Sequence, residues 1–229
     1  MNVFVSHSGG LDSTATLLRA MHDHPGTARV VAVGADYGQR HRVELDRAEA
    51  IRTRLGVQSV TVDLTARLDG SALLFAEEVP HGHYAEENMR STVVQGRNLA
   101  FITAIVGMTQ PGDEVWVGVH SGDHFIYPDC RPSFIDPLAA ALAAAYDVRL
   151  VAPFLHSTKA DIARTFWNHR DVATMTWSCY EGGDVHCGRC GTCVERREAF
   201  HLAELDDPTE YADPDFWVAA IAAHEAAQA

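Results

Sequence analysis

The chain is poor in positive charge, in lysine above all, and in long apolar runs. Its 18 basic residues face 31 acidic ones, for a net charge of −13. That balance argues against a broad electrostatic grip on nucleic acid. A local basic patch could still exist at Arg40 and Arg42 or at Arg189, Arg196 and Arg197. No stretch of eighteen apolar residues occurs, and the opening Met1-Asn2-Val3-Phe4-Val5-Ser6 carries no basic segment. No membrane span is therefore expected, and a soluble, cytoplasmic protein is. Length (229 residues) and a 47% hydrophobic content suit one large domain, or one domain with a small appendage.

The lysine deficit is the sharper fact. Of the 18 basic residues, 17 are arginine and only Lys159 is lysine. A guanidinium is planar and broad, whereas an ammonium is a compact point charge on a flexible stem. Where arginine fills every other cationic position, the single lysine is a candidate for work that arginine cannot do.

What the chain does contain is concentrated near its start. A short apolar strand, Asn2 to Val5, runs into Ser8-Gly9-Gly10-Leu11-Asp12-Ser13-Thr14, and a helix follows at once. Glycines let backbone N–H groups converge into a concave anion nest. The helix start adds unpaired N–H groups and the positive end of its dipole. Ser8, Ser13 and Thr14 add hydroxyls. The loop lacks the endings of a Walker A or a Gly-x-Gly-x-x-Gly motif, and reads as a cradle for phosphate oxygens.

The remaining pattern alternates strands with helices. Helices are expected at about 11–21, at 43–55 (ended by Gly56) and at about 99–108, where Asn98 is a candidate N-cap. Further helices are expected at 133–146, from Lys159 to about Asn168 (capped by Thr158), at 194–205 and at about 214–227. Strands fall at 29–35, 58–63, 114–119 and 148–152. Such alternation implies a doubly wound, mostly parallel sheet whose ligands sit beyond the carboxyl ends of the strands. Residues 1–170 would form this α/β domain and 171–229 a small helical region on the same globule. Polar residues gather where the ligand would be: Asp36 to His41, then His120, Asp123, His124, Asp129 and Arg131. Residues 64–95 show little periodicity and suggest a loop or lid. Their His81 and His83 read as a solvated pair more readily than as metal ligands. Lys159, in the first turn of its helix, stands where a cation is unfavourable. It therefore calls for a neighbouring anion, which a nucleotide would supply.

Cys179, Cys187, Cys190 and Cys193 form C-x7-C-x2-C-x2-C among glycines. Four thiolates with no position left for water describe a closed structural zinc site. An iron–sulfur cluster is the rival, and disulfides are the poorer reading. The fifth, Cys130, stands apart and reads as packing or pocket lining.

Ser8-Gly9-Gly10-Leu11-Asp12-Ser13 resembles the PP-loop of the ATP pyrophosphatases. The run Asp36 to His41, Gly96-Arg97-Asn98, Tyr127 to Arg131, Thr158-Lys159 and the four cysteines follow in order. Together they resemble the 7-cyano-7-deazaguanine (preQ0) synthase family over residues 2–205. Gln95 and Ile126 depart from the family pattern, which usually has proline and glycine there.

The resemblance implies ATP-dependent conversion of 7-carboxy-7-deazaguanine and ammonia to the nitrile, through an adenylate and an amide. It also implies bound zinc and a homodimer. On that scheme Ser8, Gly9, Gly10, Leu11, Asp12, Ser13 and Thr14 hold the nucleotide, and Asp12 orients Mg²⁺. Lys159, with help from Arg97, offsets charge on the phosphates. His41, Asp123, His124, Asp129 and Arg131 contact the substrate. Other readings are a ligase joining the activated acid to a different amine, even on a protein, an RNA-modifying PP-loop enzyme, and a zinc-stapled nucleotide-binding module without catalysis.

Overall fold

In the computed structural model, the described residues are 1–26, 29–38, 43–65, 80–84 and 87–228. Five parallel strands form one sheet: β1 (Asn2–Ser6), β2 (Arg29–Asp36), β3 (Gln58–Asp63), β4 (Glu114–Trp116) and β5 (Arg149–Val151). Their order is β3-β2-β1-β4-β5. The chain moves outward from β1 to one side, then crosses back to build the other. A crevice therefore opens beyond the ends of β1 and β4, where doubly wound sheets bind ligands.

The helices cover both faces because the strands are apolar on both. Phe4 and Val33 sit in the core toward α3 (Arg97–Val106) and α4 (Pro132–Tyr146), among Phe101, Ile105, Ile135 and Leu142. Val3, Val5 and Ala32 meet Leu17 and Ala20 of α1 (Leu11–Asp23) on the opposite face. There α1 joins α2 (Val43–Leu55), α5 (Lys159–Arg164), α6 (Arg170–Met175) and α7 (Gly191–Leu202) through Leu11, Ile51, Ile162, Val172 and Phe200. The last helix, α8 (Phe216–Gln228), lies against α7. No helix among the described residues is long and apolar enough to cross a membrane.

Several local expectations change. Helix α5 ends at Arg164 rather than near Asn168, and α7 spans Gly191–Leu202 rather than 194–205. Three further differences bear on the site. Helix α3 begins two residues early, because Gly96 takes a left-handed turn (φ 72°) at its N-cap. Asn98 therefore does not cap the helix, and its side-chain amide reaches the Cys130 sulfur at 3.3 Å. Strand β4 stops at Trp116 instead of Val119. Beyond it Gly118 passes so close to α1 that an added Cβ would stand 2.8 Å from Thr16 Oγ1 and 3.0 Å from the Asp12 carbonyl. His83 is buried rather than solvated, its ring stacked 3.6 Å from that of His224.

Candidate active site

The glycine–serine loop is tied down from three sides. Gly9 adopts φ +85°, and a Cβ there would meet Ala48 N at 2.8 Å and Glu44 O at 2.9 Å. Only glycine lets the turn press against α2 in this way. From the other side, Trp177 N–H donates to Gly9 O at 3.0 Å. Within the loop, Ser8 N–H donates to Ser13 Oγ (3.1 Å), and Ser13 Oγ donates to Gly10 O (3.2 Å). Gly10 is the N-cap of α1 and no side chain caps it, so first-turn N–H groups remain for an anion.

Below the loop, His7 is fully buried. Arg52 of α2 donates from Nε to His7 Nδ1 (3.2 Å) and from Nη2 to His7 O (2.8 Å). Burial, with the Arg52 charge behind it, lowers the imidazole to about 3, so the ring is neutral. Its single proton then lies on Nε2, facing Thr14 Oγ1 at 3.2 Å. Gly34 leaves room for this arginine, since a Cβ there would stand 2.3 Å from Nη2.

Beside the loop stands an ionic cluster. Lys159 Nζ lies 2.8 Å from Asp12 Oδ2 and 2.8 Å from Glu195 Oε2, and 3.3 Å from His120 Nε2. The anions opposing this lysine are therefore two carboxylates of the chain itself. Burial works against the Lys159 charge, yet Asp12 and Glu195 outweigh it and hold the ammonium above its ordinary value. Asp12 is raised by burial, but the charge and hydrogen bond of Lys159 bring it below its usual range. Asp123 is different: burial first, then the fields of Asp12 and Glu195, push it up to about 6. Gly122 N–H donates to His120 Nδ1 (3.1 Å), which leaves the ring's N–H at Nε2. That nitrogen lies 3.4 Å from Asp123 Oδ1 and 3.6 Å from Glu195 Oε1.

A second group closes the other end of the same cavity. Arg97 lies 5.7 Å over the Tyr37 ring. Its charge is held, against burial, by the surrounding phenols of Tyr37, Tyr180 and Tyr127. Tyr127 Oη is 3.2 Å from Tyr180 Oη and 2.9 Å from Thr92 Oγ1. Glu44, Phe101, Cys130 and Trp177 complete the wall.

Among the expected site residues, Ser8, Gly10, Leu11, Asp12, Ser13, Arg97, Asp123 and Lys159 line one cavity. Gly9 and Thr14 act from behind the loop. His124, Asp129 and Arg131 stand outside the lining: Arg131 Nε donates to His124 O (2.8 Å), and Asp129 accepts the Asn98 N–H (3.2 Å). His41 lies outside the described residues. The departures Gln95 and Ile126 do not line the cavity either, Gln95 being exposed and Ile126 buried. The basic patch anticipated at Arg189, Arg196 and Arg197 does not exist as such. Arg196 is fully buried and donates to Thr176 Oγ1 (2.7 Å) and Ala173 O (3.0 Å), and Arg189 pairs with Asp213 (2.9 Å). Arg40 and Arg42 fall outside the described residues. Sequence reading missed Glu195, Glu44, His7 and Arg52, which no local motif distinguishes.

The four cysteines form a compact set, with ligand atoms all within 4.8 Å of one another. Cys187 Sγ and Cys193 Sγ are 3.9 Å apart, too far for a disulfide. The spacing is close to the ~3.8 Å edge of a tetrahedron built on Zn–S distances of about 2.3 Å. Backbone N–H groups of Arg189 and Cys190 donate to Cys187 Sγ, and that of Cys187 to Cys179 Sγ, at 3.2–3.3 Å. Such donors stabilise thiolates, the form that binds a soft metal ion. The donor set fits a metal, and α7, which starts inside it, carries Glu195 to Lys159.

These features define a doubly wound α/β protein with a glycine–serine loop at an uncapped helix start at its switch point and a four-cysteine cluster, able to hold a metal, packed beside it. Residues 2–204 match the model of the family described as "Queuosine biosynthesis protein QueC". The chain is 53% identical over 235 residues to a 7-cyano-7-deazaguanine synthase of Ruegeria sp., covering 99% of this chain and 100% of that one. A 7-cyano-7-deazaguanine synthase of Brucella anthropi is 50% identical over 230 residues, covering 96% and 98%. Among solved structures, the U34-tRNA thiolase NcsA from Methanococcus maripaludis overlaps with a TM-score of 0.49 at 11% identity, covering 93% of this chain and 74% of that one. The chain belongs to the QueC family.

Proposed function

We propose that the protein converts 7-carboxy-7-deazaguanine and ammonia to 7-cyano-7-deazaguanine at the expense of ATP. The observation that carries this reading is the convergence, in one cavity, of an anion nest, a lysine held by two carboxylates, and a half-buried arginine amid aromatic rings. Membership of the QueC family and the names of the relatives support it.

A carboxylate resists ammonia because its carbon is shielded by negative charge and its leaving group is poor. Adenylation removes both obstacles. A carboxylate oxygen attacks the α-phosphorus of ATP, and pyrophosphate departs into the nest of Ser8 to Ser13, where main-chain N–H groups and Lys159 offset its charge. Ammonia then adds to the acyl carbon, loses a proton, and AMP leaves with that oxygen. The amide oxygen next attacks a second ATP. Loss of two protons from nitrogen, with departure of the second AMP, leaves the C≡N bond. Each nitrile thus consumes two ATP and releases two AMP and two pyrophosphates.

Asp123, raised to about 6, lines the cavity as a carboxylate able to accept a proton near neutral pH. Asp12 would hold Mg²⁺, a charge partner for the pyrophosphate; its Oδ1 is buried without a hydrogen-bond partner among the described residues. Zinc is the ion we assign to Cys179, Cys187, Cys190 and Cys193, where it would fasten the segment bearing Trp177 and the start of α7. The reading implies a cytoplasmic homodimer working on small molecules. The test is mass spectrometry of products from ATP, ammonia and the acid. Amide followed by nitrile is expected, and amide alone would contradict the proposal.

A further inference from the structure

We infer that Glu44 and Arg97 together read the pyrimidine edge of the substrate. Arg97 donates to its ring carbonyl oxygen, and the Glu44 carboxylate accepts from the adjacent ring N–H and the exocyclic 2-amino group. The inference rests on the function proposed above and names the subsite that would choose its substrate.

Three observations lead there. First, Glu44 and Arg97 both line the cavity, within the field of each other and of Tyr37 and Tyr180. Second, among the described residues neither side chain is in an ion pair: the Glu44 carboxylate feels Arg97 only through its field, and Arg97 makes its side-chain hydrogen bond with the Tyr37 phenol. Both side chains are half-buried at the cavity wall, and a half-buried carboxylate and guanidinium that are not paired as ions keep hydrogen-bonding capacity for a ligand that reaches both. Third, the surroundings are ring faces (Tyr37, Trp177 and Tyr180), which suit a flat heterocycle.

The ligand's edge must offer one acceptor to the guanidinium and two donors to the carboxylate. A 2-amino-4-oxopyrimidine presents that row: carbonyl oxygen, ring N–H, exocyclic N–H₂. An adenine presents one N–H₂ beside a ring-nitrogen lone pair, and a carboxylate would face that lone pair unfavourably. The pair therefore selects the deazaguanine over the adenine of ATP, which shares the cavity. Burial already holds Glu44 up at about 7 against the pull of Arg97, so two arriving N–H donors would favour its ionised form.

The experiment is calorimetric binding of 7-carboxy-7-deazaguanine and of its 2-deamino analogue to the wild-type protein and to Glu44→Gln, with ATP binding measured alongside. The wild type should prefer the 2-amino compound by about ten- to a hundredfold, as expected when a charged acceptor loses a buried donor. Glu44→Gln should erase most of that preference and leave ATP affinity within about twofold, a margin too small to reflect a lost hydrogen bond. An undiminished preference in the variant overturns the inference, as does a loss confined to ATP. A wild type that shows no preference overturns it whether or not the variant folds. Turnover is scored separately: a protein that discriminates the two acids in binding but makes no nitrile would refute the proposed function and leave this subsite standing.

Discussion

Replacing Lys159 with methionine keeps most of the side-chain volume and removes the charge that two carboxylates share. In the wild type the ammonium is 2.8 Å from both Asp12 and Glu195, with side-chain exposures of 15% for Lys159, 26% for Asp12 and 9% for Glu195. Removing one partner of a buried ion pair costs about 3–5 kcal/mol. Asp12 is open enough to water to place this case near the lower figure, about 3 kcal/mol. For a chain of this size that corresponds to about 6–12 °C in Tm. The sign of the pH dependence follows from the wild-type carboxylate. Asp12 lies below its usual range because of Lys159, so its stabilising share is present above the unfolded value and is lost as pH falls through the lowered one. The variant lacks that share, and its orphaned carboxylates are relieved by protonation in acid. The gap between the two proteins should thus be widest at about pH 8 and narrow toward about pH 4. Thermal unfolding followed by circular dichroism, with metal content checked, measures it. A gap equal at both pH values, or none at pH 8, would refute the reasoning.

Lys159→Arg should lose at least about a hundredfold in AMP release while the metal stays bound, because a planar fork does not fit a point between Asp12, Glu195 and His120. Glu195→Gln should lower kcat by about tenfold or more with a smaller change in KM for ATP, since it loosens the lysine without touching the loop; equal effects on both would argue against a positioning role. Gly9→Ala should weaken ATP binding measured by calorimetry and cost about 1–3 kcal/mol of stability, its Cβ driven against Ala48 and Glu44. Stripping the metal with a chelator should expose residues 177–196 to limited proteolysis and abolish turnover at the same dose, because Glu195 rides on the helix that begins among the cysteines.

Local features were readable and convergent ones were not. The Ser8–Thr14 loop is contiguous, so its glycines and serines announce themselves. Helix α2 and strand β3 begin and end where expected because Gly56, at φ 65°, separates them. The four cysteines are likewise close in sequence. The start of α3 differs from the one the sequence suggests because a left-handed Gly96 and the side chain of Asn98 compete for the same end, and tertiary contact with Cys130 decides it. Lys159 stands out by its rarity, but its partner Glu195 is one of many acidic residues. Nothing in the chain couples position 195 to 159 until α5 and α7 pack together. Arg196 read as surface charge and is instead an internal clamp, since burial of an arginine is set by the carbonyls and hydroxyls the fold brings to it.

In the proposed reaction the acid ceases to be inert because one of its own oxygens becomes attached to AMP. Turnover of 7-carboxy-7-deazaguanine labelled with ¹⁸O in both carboxylate oxygens tests it directly. Both labels should be recovered in AMP, one from each activation. Label appearing in inorganic phosphate, with ADP in place of AMP, would contradict the account.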